Sequence, residues 1–296
     1  MRGAFSAETV LRSRTKTVTI AADRPFCIIG ERINPTGRKK FAADLRAGEL
    51  GAVTHDAVAQ VENGADMLDV NAGIPLVDEA ELLASMLKTV QAAADVPICI
   101  DSSVIEALEA GLSAYEGRAL VNSVTAEDDR LTEILPLVAR HDAAVIGLAN
   151  DETGIPETPA ERLECARKIV SAAADHGIAA HDVVIDPLAM TVGADPEAVR
   201  TTLITIRLIR EQLGVNMCLG ASNVSFGLPD RHALNAAFLP MAMAAGLTSA
   251  IMSTARPVVD AVRAGDLLLG HDEWGANWIA AHRARQAMVA QGAPVP

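Results

Sequence analysis

A chain of 296 residues with 25 lysines and arginines against 38 aspartates and glutamates carries a formal net charge of −13. That balance argues against a nucleic-acid binder, because phosphate neutralisation needs a basic face and no cluster larger than Arg38-Lys39-Lys40 occurs. Half of the residues are hydrophobic and only 3% aromatic, which suits the Val, Ile, Leu and Ala layers of repeated β-α units, as one large barrel or two ordinary domains.

Residues 1–25 form an N-terminal extension ahead of a single domain over 26–296. The extension is polar and ends in the alternating Thr17-Val18-Thr19-Ile20, which predicts a short strand or hairpin that plugs or flanks something larger. From Phe26 a regular alternation begins. Short apolar runs at 26–30, 67–70, 97–100 and 119–121 precede ERINPTG, NAG, DSS and NSV; runs at 143–148, 183–185, 217–219 and 249–252 precede AND, DPLAM, GASN and STARP. Amphipathic stretches lie between them, for example 79–94, 159–176, 196–213 and 232–246, several opened by Asp, Ser or Thr and several stopped by Gly64, Gly111, Gly177, Gly214 or Gly246. The segment 272–290 predicts a closing helix that packs Trp274 and Trp278 on the barrel wall.

Eight short strands alternating with helices predict an α/β fold, a (β/α)8 TIM barrel. An open doubly wound sheet is the runner-up; it would gather polar residues at one switch point, whereas here they follow nearly every strand. No G-x-G-x-x-G or G-x-x-x-x-G-K follows any strand. Cys27, Cys99, Cys165 and Cys218 lie far apart, with no C-x-x-C pair and no histidine at ligand spacing, so buried reduced thiols are expected and no metal site. The nearly apolar tract 236–252 contains Pro240, Gly246, Thr248 and Ser249 and reads as a helix followed by a strand, not a membrane span. Arg2, Arg12, Arg14 and Lys16 precede no apolar segment, so no secretory signal is expected and the protein is placed in the cytoplasm, with neither membrane nor nucleic acid as partner.

Arranging the strand ends in a ring brings together Glu31 and Asn34, Asp69 and Asn71, Asp101, Asn122, Asp186 and Asn223, with no histidine among them. Gly220, Ser222 and Arg231 share the loop of Asn223 and complete the candidate set. A carboxylate flanked by amides matches a planar heterocycle that presents adjacent N–H donors and a ring acceptor, such as a pterin or a guanine-like ring; hydrogen bonds to a charged partner contribute about 1.5–3 kcal/mol each. A divalent cation held by Asp101, Asp186 and Glu31 is the competing reading. Each residue also has a plainer use: Asp101 as a helix cap, Asp186 before Pro187 as a turn former, Asn71 near Gly73 as turn chemistry.

IGERIN (29–34), LDVNAG (68–73), IDSS (100–103), VNSV (121–124), IDPL (185–188) and GASNVSFGLPDR (220–231) together resemble the pterin-binding methyltransferase family, which includes methyltetrahydrofolate:corrinoid protein methyltransferases and the folate module of cobalamin-dependent methionine synthase. The resemblance runs in order from Ile29 to about Gly270. It implies a barrel of the pterin-binding, dihydropteroate synthase-like type that binds methyltetrahydrofolate in its mouth and passes the methyl group between N5 and the cobalt of a corrinoid (cobalamin) carried on a partner protein. It further implies that Asp101, Asn122 and Asp186 hold the pterin, that Asn223 approaches N5, and that the enzyme is a homodimer. Dihydropteroate synthases share the Asp, Asn and Asp pattern but place a Ser-Arg-Lys type motif where this chain has Ser222-Asn223-Val224. Some relatives that serve a corrinoid/iron-sulfur protein carry a glutamine at the position of Phe226, which leaves the partner's identity open. No D-x-H-x-x-G motif occurs, so the corrinoid is expected on another protein. Arg231 meets the glutamate tail of folate or the corrinoid protein, or else pairs with Asp230 or Glu31. A synthase-like pterin condensation and a non-catalytic folate-binding protein stay open as alternatives.

Overall fold

The computed structural model describes residues 7–290. The first six residues of the expected extension and the last six of the expected barrel domain lie outside them. The chain opens with an antiparallel hairpin of β1 (Thr9–Arg12) and β2 (Thr17–Ile20), Thr9 facing Ile20. Its period-two pattern turns Leu11 and Ile20 inward, where both are essentially buried.

The repeating units follow. They are β3 (Cys27–Ile33) with α1 (Lys39–Arg46) and α2 (Gly51–Glu62), β4 (Met67–Asn71) with α3 (Glu79–Ala93), β5 (Ile98–Asp101) with α4 (Ile105–Ala114), and β6 (Leu120–Thr125) with α5 (Asp128–Arg140). Then come β7 (Ala144–Leu148) with α6 (Pro159–Asp175), β8 (Val183–Asp186) with α7 (Ala198–Gln212), β9 (Cys218–Gly220) with α8 (Arg231–Ala245), β10 (Ser249–Met252) with α9 (Arg256–Leu269), and α10 (Ala276–Ala290). Local chemistry explains several boundaries. Asp78 accepts the N–H of Glu81 at 3.1 Å to start α3, and Thr158 with Glu161 forms a reciprocal cap that starts α6.

The eight barrel strands are parallel in the order β8-β7-β6-β5-β4-β3-β10-β9. At the seam Ile185 of β8 faces Met217, and its N–H reaches the carbonyl of Asn216 at 2.9 Å, which brings the two edges together. The strands alternate between two apolar environments, except where β3 and β6 shift register near their C-terminal ends. Cys27, Ile29, Met67, Cys99, Leu120, Ala144, Ile146, Val184 and Cys218 fill the barrel interior together with Leu11 and Ile20 of the hairpin. Their neighbours Ile28, Leu68, Val70, Ile98, Ile100, Val121, Val145, Val183 and Ile185 face outward against the helices. The hairpin therefore closes the floor of the barrel. Asn216, 1% exposed, fastens it by donating to the carbonyls of Ala7 (2.9 Å) and Ile20 (2.7 Å) and to Oγ1 of Thr9 (2.9 Å).

All four cysteines are buried free thiols. Among the described residues no helix is long and apolar enough to cross a membrane. Two local expectations are corrected. Gly111 does not stop a helix but sits inside α4, where a Cβ would lie 3.1 Å from Ile100 and Leu87 side chains; it is there for close packing of α4 against α3 and β5. The closing segment is not one helix over 272–290, because Trp274 adopts φ 58 inside a short 3-10 turn over Glu273–Gly275 and α10 begins only at Ala276. Trp274 is 91% exposed, so the tryptophans share no helical face on the wall.

Candidate functional site

The interior alternation that makes the core also makes the site. On five of the strands the inward positions are apolar near the floor and polar at the C-terminal end: Cys27, Ile29, then Glu31; Met67, then Asp69 and Asn71; Cys99, then Asp101; Leu120, then Asn122; Val184, then Asp186; on β9 Cys218 is followed by Gly220, and β7 stays apolar to Leu148. Strand register sets their heights. Asn71 faces Asp101, and Asp101 faces Asn122, so these three form one row across β4, β5 and β6. Asp69 belongs one layer lower, opposite Cys99, and is 3% exposed, so it supports the rim from beneath.

One amide bond runs within the row and another ties the row to the layer beneath. Asn71 donates from Nδ2 to Asp101 Oδ2 at 2.9 Å, and Asn122 donates from Nδ2 to Asp69 Oδ1 at 3.2 Å. Asn71 also accepts the N–H of Gly73 at 2.8 Å, so the turn chemistry and the site chemistry use the same side chain. Across the mouth, Asp186 Oδ1 accepts the N–H of Leu188 at 2.7 Å.

Burial controls the electrostatics here. It pushes Asp101 up to about 6, against the pull of the Asn71 hydrogen bond. It pushes Asp186 up to about 7, against the Leu188 and Gly220 N–H groups and the charge of Arg162. Burial raises Asp69 well above the usual carboxylate range, with the neighbouring Asp101 charge adding to it. Glu31 is raised by burial as well, opposed by the hydroxyl of Ser222. The mouth thus holds carboxyl groups poised to change charge near neutral pH.

A 3-10 turn over Ala221–Ser225 carries the remaining candidates. Gly220 precedes it with φ −72, so its role is spatial: a Cβ there would sit 3.0 Å from Asn223 Nδ2. The Asn223 amide is exposed above that gap and makes no side-chain hydrogen bond among the described residues. Ser222 donates to Glu31 Oε1 at 2.9 Å, tying this loop to β3. Arg231 grips the same loop, reaching Ser222 O at 2.7 Å and Ser225 Oγ at 3.2 Å, and lies 5.9 Å from the ring of exposed Phe226.

Glu31, Asn71, Asp101, Asn122, Asp186, Gly220, Ser222 and Asn223 thus converge on one mouth. Asn34 joins no bond to that ring; its Oδ1 accepts the N–H of Thr36 at 2.9 Å and shapes the loop after β3. Among the described residues Arg231 forms no ion pair with Asp230 or Glu31 and braces the Ser222 carbonyl and the Ser225 hydroxyl instead. Among the described residues no group of three or more His, Cys, Asp or Glu is arranged to hold a metal ion. Two supporting residues were missed in the sequence. Asn235 on α8, 2% exposed, donates to Ser222 Oγ at 3.3 Å, and Arg162 on α6, 4% exposed, lies behind Asp186. Arg162 did leave a signal: it stands in the buried stripe of Ala166, Ile169 and Ala173.

Residues 30–253 match the family described as pterin binding enzyme. The chain is 33% identical over 252 residues to a methylcorrinoid:tetrahydrofolate methyltransferase of Eubacterium limosum, covering 83% of this chain and 92% of that protein. It is 34% identical over 267 residues to the methionine synthase of Mycobacterium tuberculosis, covering 85% of this chain and 22% of that longer protein. A dihydropteroate synthase structure from Xanthomonas albilineans, with 4-aminobenzoic acid, has a TM-score of 0.68 at 20% identity, covering 88% of this chain and 98% of that one. The dihydropteroate synthase of Yersinia pestis gives 0.61 at 13% identity, covering 88% and 99%. At these identities the solved structures speak for the barrel fold alone.

Proposed function

The chain belongs to the pterin binding enzyme family, and from that premise we propose that it is a methyltransferase moving a methyl group between N5 of methyltetrahydrofolate and the cobalt of a corrinoid carried on a partner protein. The observation that carries this reading is the side-chain amide of Asn223 over Gly220, which makes no hydrogen bond among the described residues, with Asp186 and the Asn71–Asp101–Asn122 row across the mouth. An ionised Asp186 or Asp101 accepts paired N–H donors from a pterin edge, and Asn122 supplies a donor and an acceptor beside them. Reduced cobalt on the partner supplies the nucleophile, so the barrel has to orient folate and help N5 leave. Asn223 suits that step because a neutral amide can donate to N5 as the C–N bond breaks and charge develops there.

A synthase-like condensation is the weaker reading, since Ser222-Asn223-Val224 lacks the basic residues of the synthase loop. The deciding experiment mixes this protein, methyltetrahydrofolate and a reduced corrinoid and follows cobalt absorbance. Methylation of the corrinoid is expected; pteroate formation from para-aminobenzoate without methylation would select the synthase, and folate binding with neither product a binding protein. The same reading places the enzyme in the cytoplasm, as a homodimer without membrane or nucleic-acid partners. Exposed Leu268, Trp274 and Ile279 near the C-terminal helices favour the dimer, because apolar side chains so exposed are expected to find cover. Sedimentation of Trp274→Glu tests it: the variant should shift toward monomer.

A further inference from the structure

Arg162 is a buried cation that forms no ion pair with a carboxylate among the described residues. It donates to main-chain carbonyls: Nε to Pro156 at 2.9 Å, and Nη1 to Pro187 at 3.0 Å and Leu188 at 2.8 Å. Pro187 and Leu188 are the two residues that follow Asp186. Leu188 has φ 64, a left-handed backbone that costs a non-glycine residue about 1–2 kcal/mol and persists where its surroundings hold it. Its carbonyl is held twice, by Arg162 from α6 and by Oγ1 of Thr202 from α7 at 2.9 Å, and Thr202 is 1% exposed. Held in this way, Leu188 directs its N–H at Asp186 Oδ1, 2.7 Å away.

We propose that Arg162 is a positioning residue for folate binding: by gripping the Pro187 and Leu188 carbonyls it fixes the turn that aims the Asp186 carboxylate into the mouth. The proposal rests on the reading of Asp186 as a pterin ligand. A neutral donor would satisfy the same carbonyls; what an arginine adds is a charge behind the carboxylate that favours its ionised form. The groups that face Asp186 are Arg162 from α6, the Leu188 N–H in its own turn, and on β9 the Gly220 N–H and the buried Cys218 thiol, which stays neutral because burial raises it. Among the described residues that act on Asp186, Arg162 alone brings a positive charge. Losing it both frees the turn and disfavours the carboxylate, so the pH at which folate binding sets in should climb.

Calorimetric titration with tetrahydrofolate across pH tests this in the wild-type protein, Arg162→Met, Arg162→Lys, Thr202→Val and Asp186→Asn, each checked for cooperative thermal unfolding. In Arg162→Met the rise of affinity with pH should move to higher pH by about one unit, giving about tenfold weaker binding near neutrality that recovers in alkali. Arg162→Lys, which keeps the charge but not the fork, should fall between that variant and wild type, and turnover at saturating folate should change far less than KM. If Arg162→Met does not fold, Arg162→Lys and Thr202→Val carry the test, with smaller shifts in the same direction. A uniform loss of affinity at every pH, or no loss in Arg162 variants while Asp186→Asn binds weakly, overturns the proposal. If Asp186→Asn itself binds normally, the reading of Asp186 falls and takes the proposal with it.

Discussion

The two ends of this barrel are built from the same strands and solve opposite problems. At the floor, Asn216 joins three acceptors of the hairpin, Tyr115 and Arg118 hold the carbonyls of Arg12 and Val10 at 2.8 and 2.7 Å, and Leu11 and Ile20 close the core. At the mouth, buried carboxyl groups crowd together with pKa values driven upward, and the exposed Asn223 side chain makes no hydrogen bond among the described residues. The floor pairs its polar groups to fasten the hairpin, whereas the mouth, though cross-linked too, keeps raised carboxyl groups and one exposed amide at the open end. Barrels commonly separate the two ends in this way, with stability at one and chemistry at the other.

The largest way to sharpen that contrast is pH. Asp186 sits at about 7 in the folded protein and near 3.8 as an ordinary carboxylate, so the folded state holds a proton that the unfolded chain releases between those values. Its stabilising share is complete below the unfolded value and is lost as pH rises through about 7. At about 1.4 kcal/mol per unit the loss has a ceiling of about 4 kcal/mol, and Asp101, at about 6, adds in the same direction. Folate affinity should run the other way, rising through the same window as the carboxylates become available. Thermal melts and calorimetry on the ligand-free protein check both; a folate affinity that falls across this window would refute the pterin roles of Asp101 and Asp186. Asp186→Asn should flatten both slopes.

Asn223→Ala comes next. Removing one preorganised transition-state hydrogen bond typically costs on the order of 3 kcal/mol, a hundredfold or more in rate. The side chain is exposed and unbonded, so stability should stay within about 0.5 kcal/mol. Near-normal methyl transfer in this variant would sink the role of Asn223. The mirror experiment at the floor is Asn216→Ala, which should cost about 2 kcal/mol of stability by orphaning buried carbonyls while leaving folate affinity at ambient temperature unchanged. A folate defect there would mean that the two ends are coupled.

How far this contrast could be read in the sequence follows from which contacts are periodic. The barrel and the ring were legible because IIGE, MLDVN, CID and VVID each step in twos from apolar floor to polar mouth. The depth of Asp69 was not, since Asp69 and Asn71 point the same way and only strand register separates their layers. Gly111 was misread because a glycine that admits neighbouring side chains looks, in one dimension, like one that ends a helix. Arg162 and Asn235 escaped because their partners lie on other elements: main-chain carbonyls at 156, 187 and 188 for the arginine, the Ser222 hydroxyl for the asparagine. Arginine in an apolar stripe is the kind of conflict between pattern and residue that marks a site.

The smallest expected effect separates the presence of the Asn223 amide from its position. Gly220 has φ −72, which any residue adopts, so alanine there brings no backbone penalty of the left-handed kind. Its Cβ would lie 3.0 Å from Asn223 Nδ2 and 3.6 Å from Cγ, closer than comfortable contact, and the flexible, exposed amide is the group that yields. Gly220→Ala should therefore keep the fold and most of the folate affinity, while turnover drops about tenfold because a displacement of a few tenths of an ångström weakens a transition-state hydrogen bond without abolishing it. Stopped-flow measurement of methyl transfer at saturating folate reads this directly. Unchanged turnover would show that the amide finds N5 from more than one starting position.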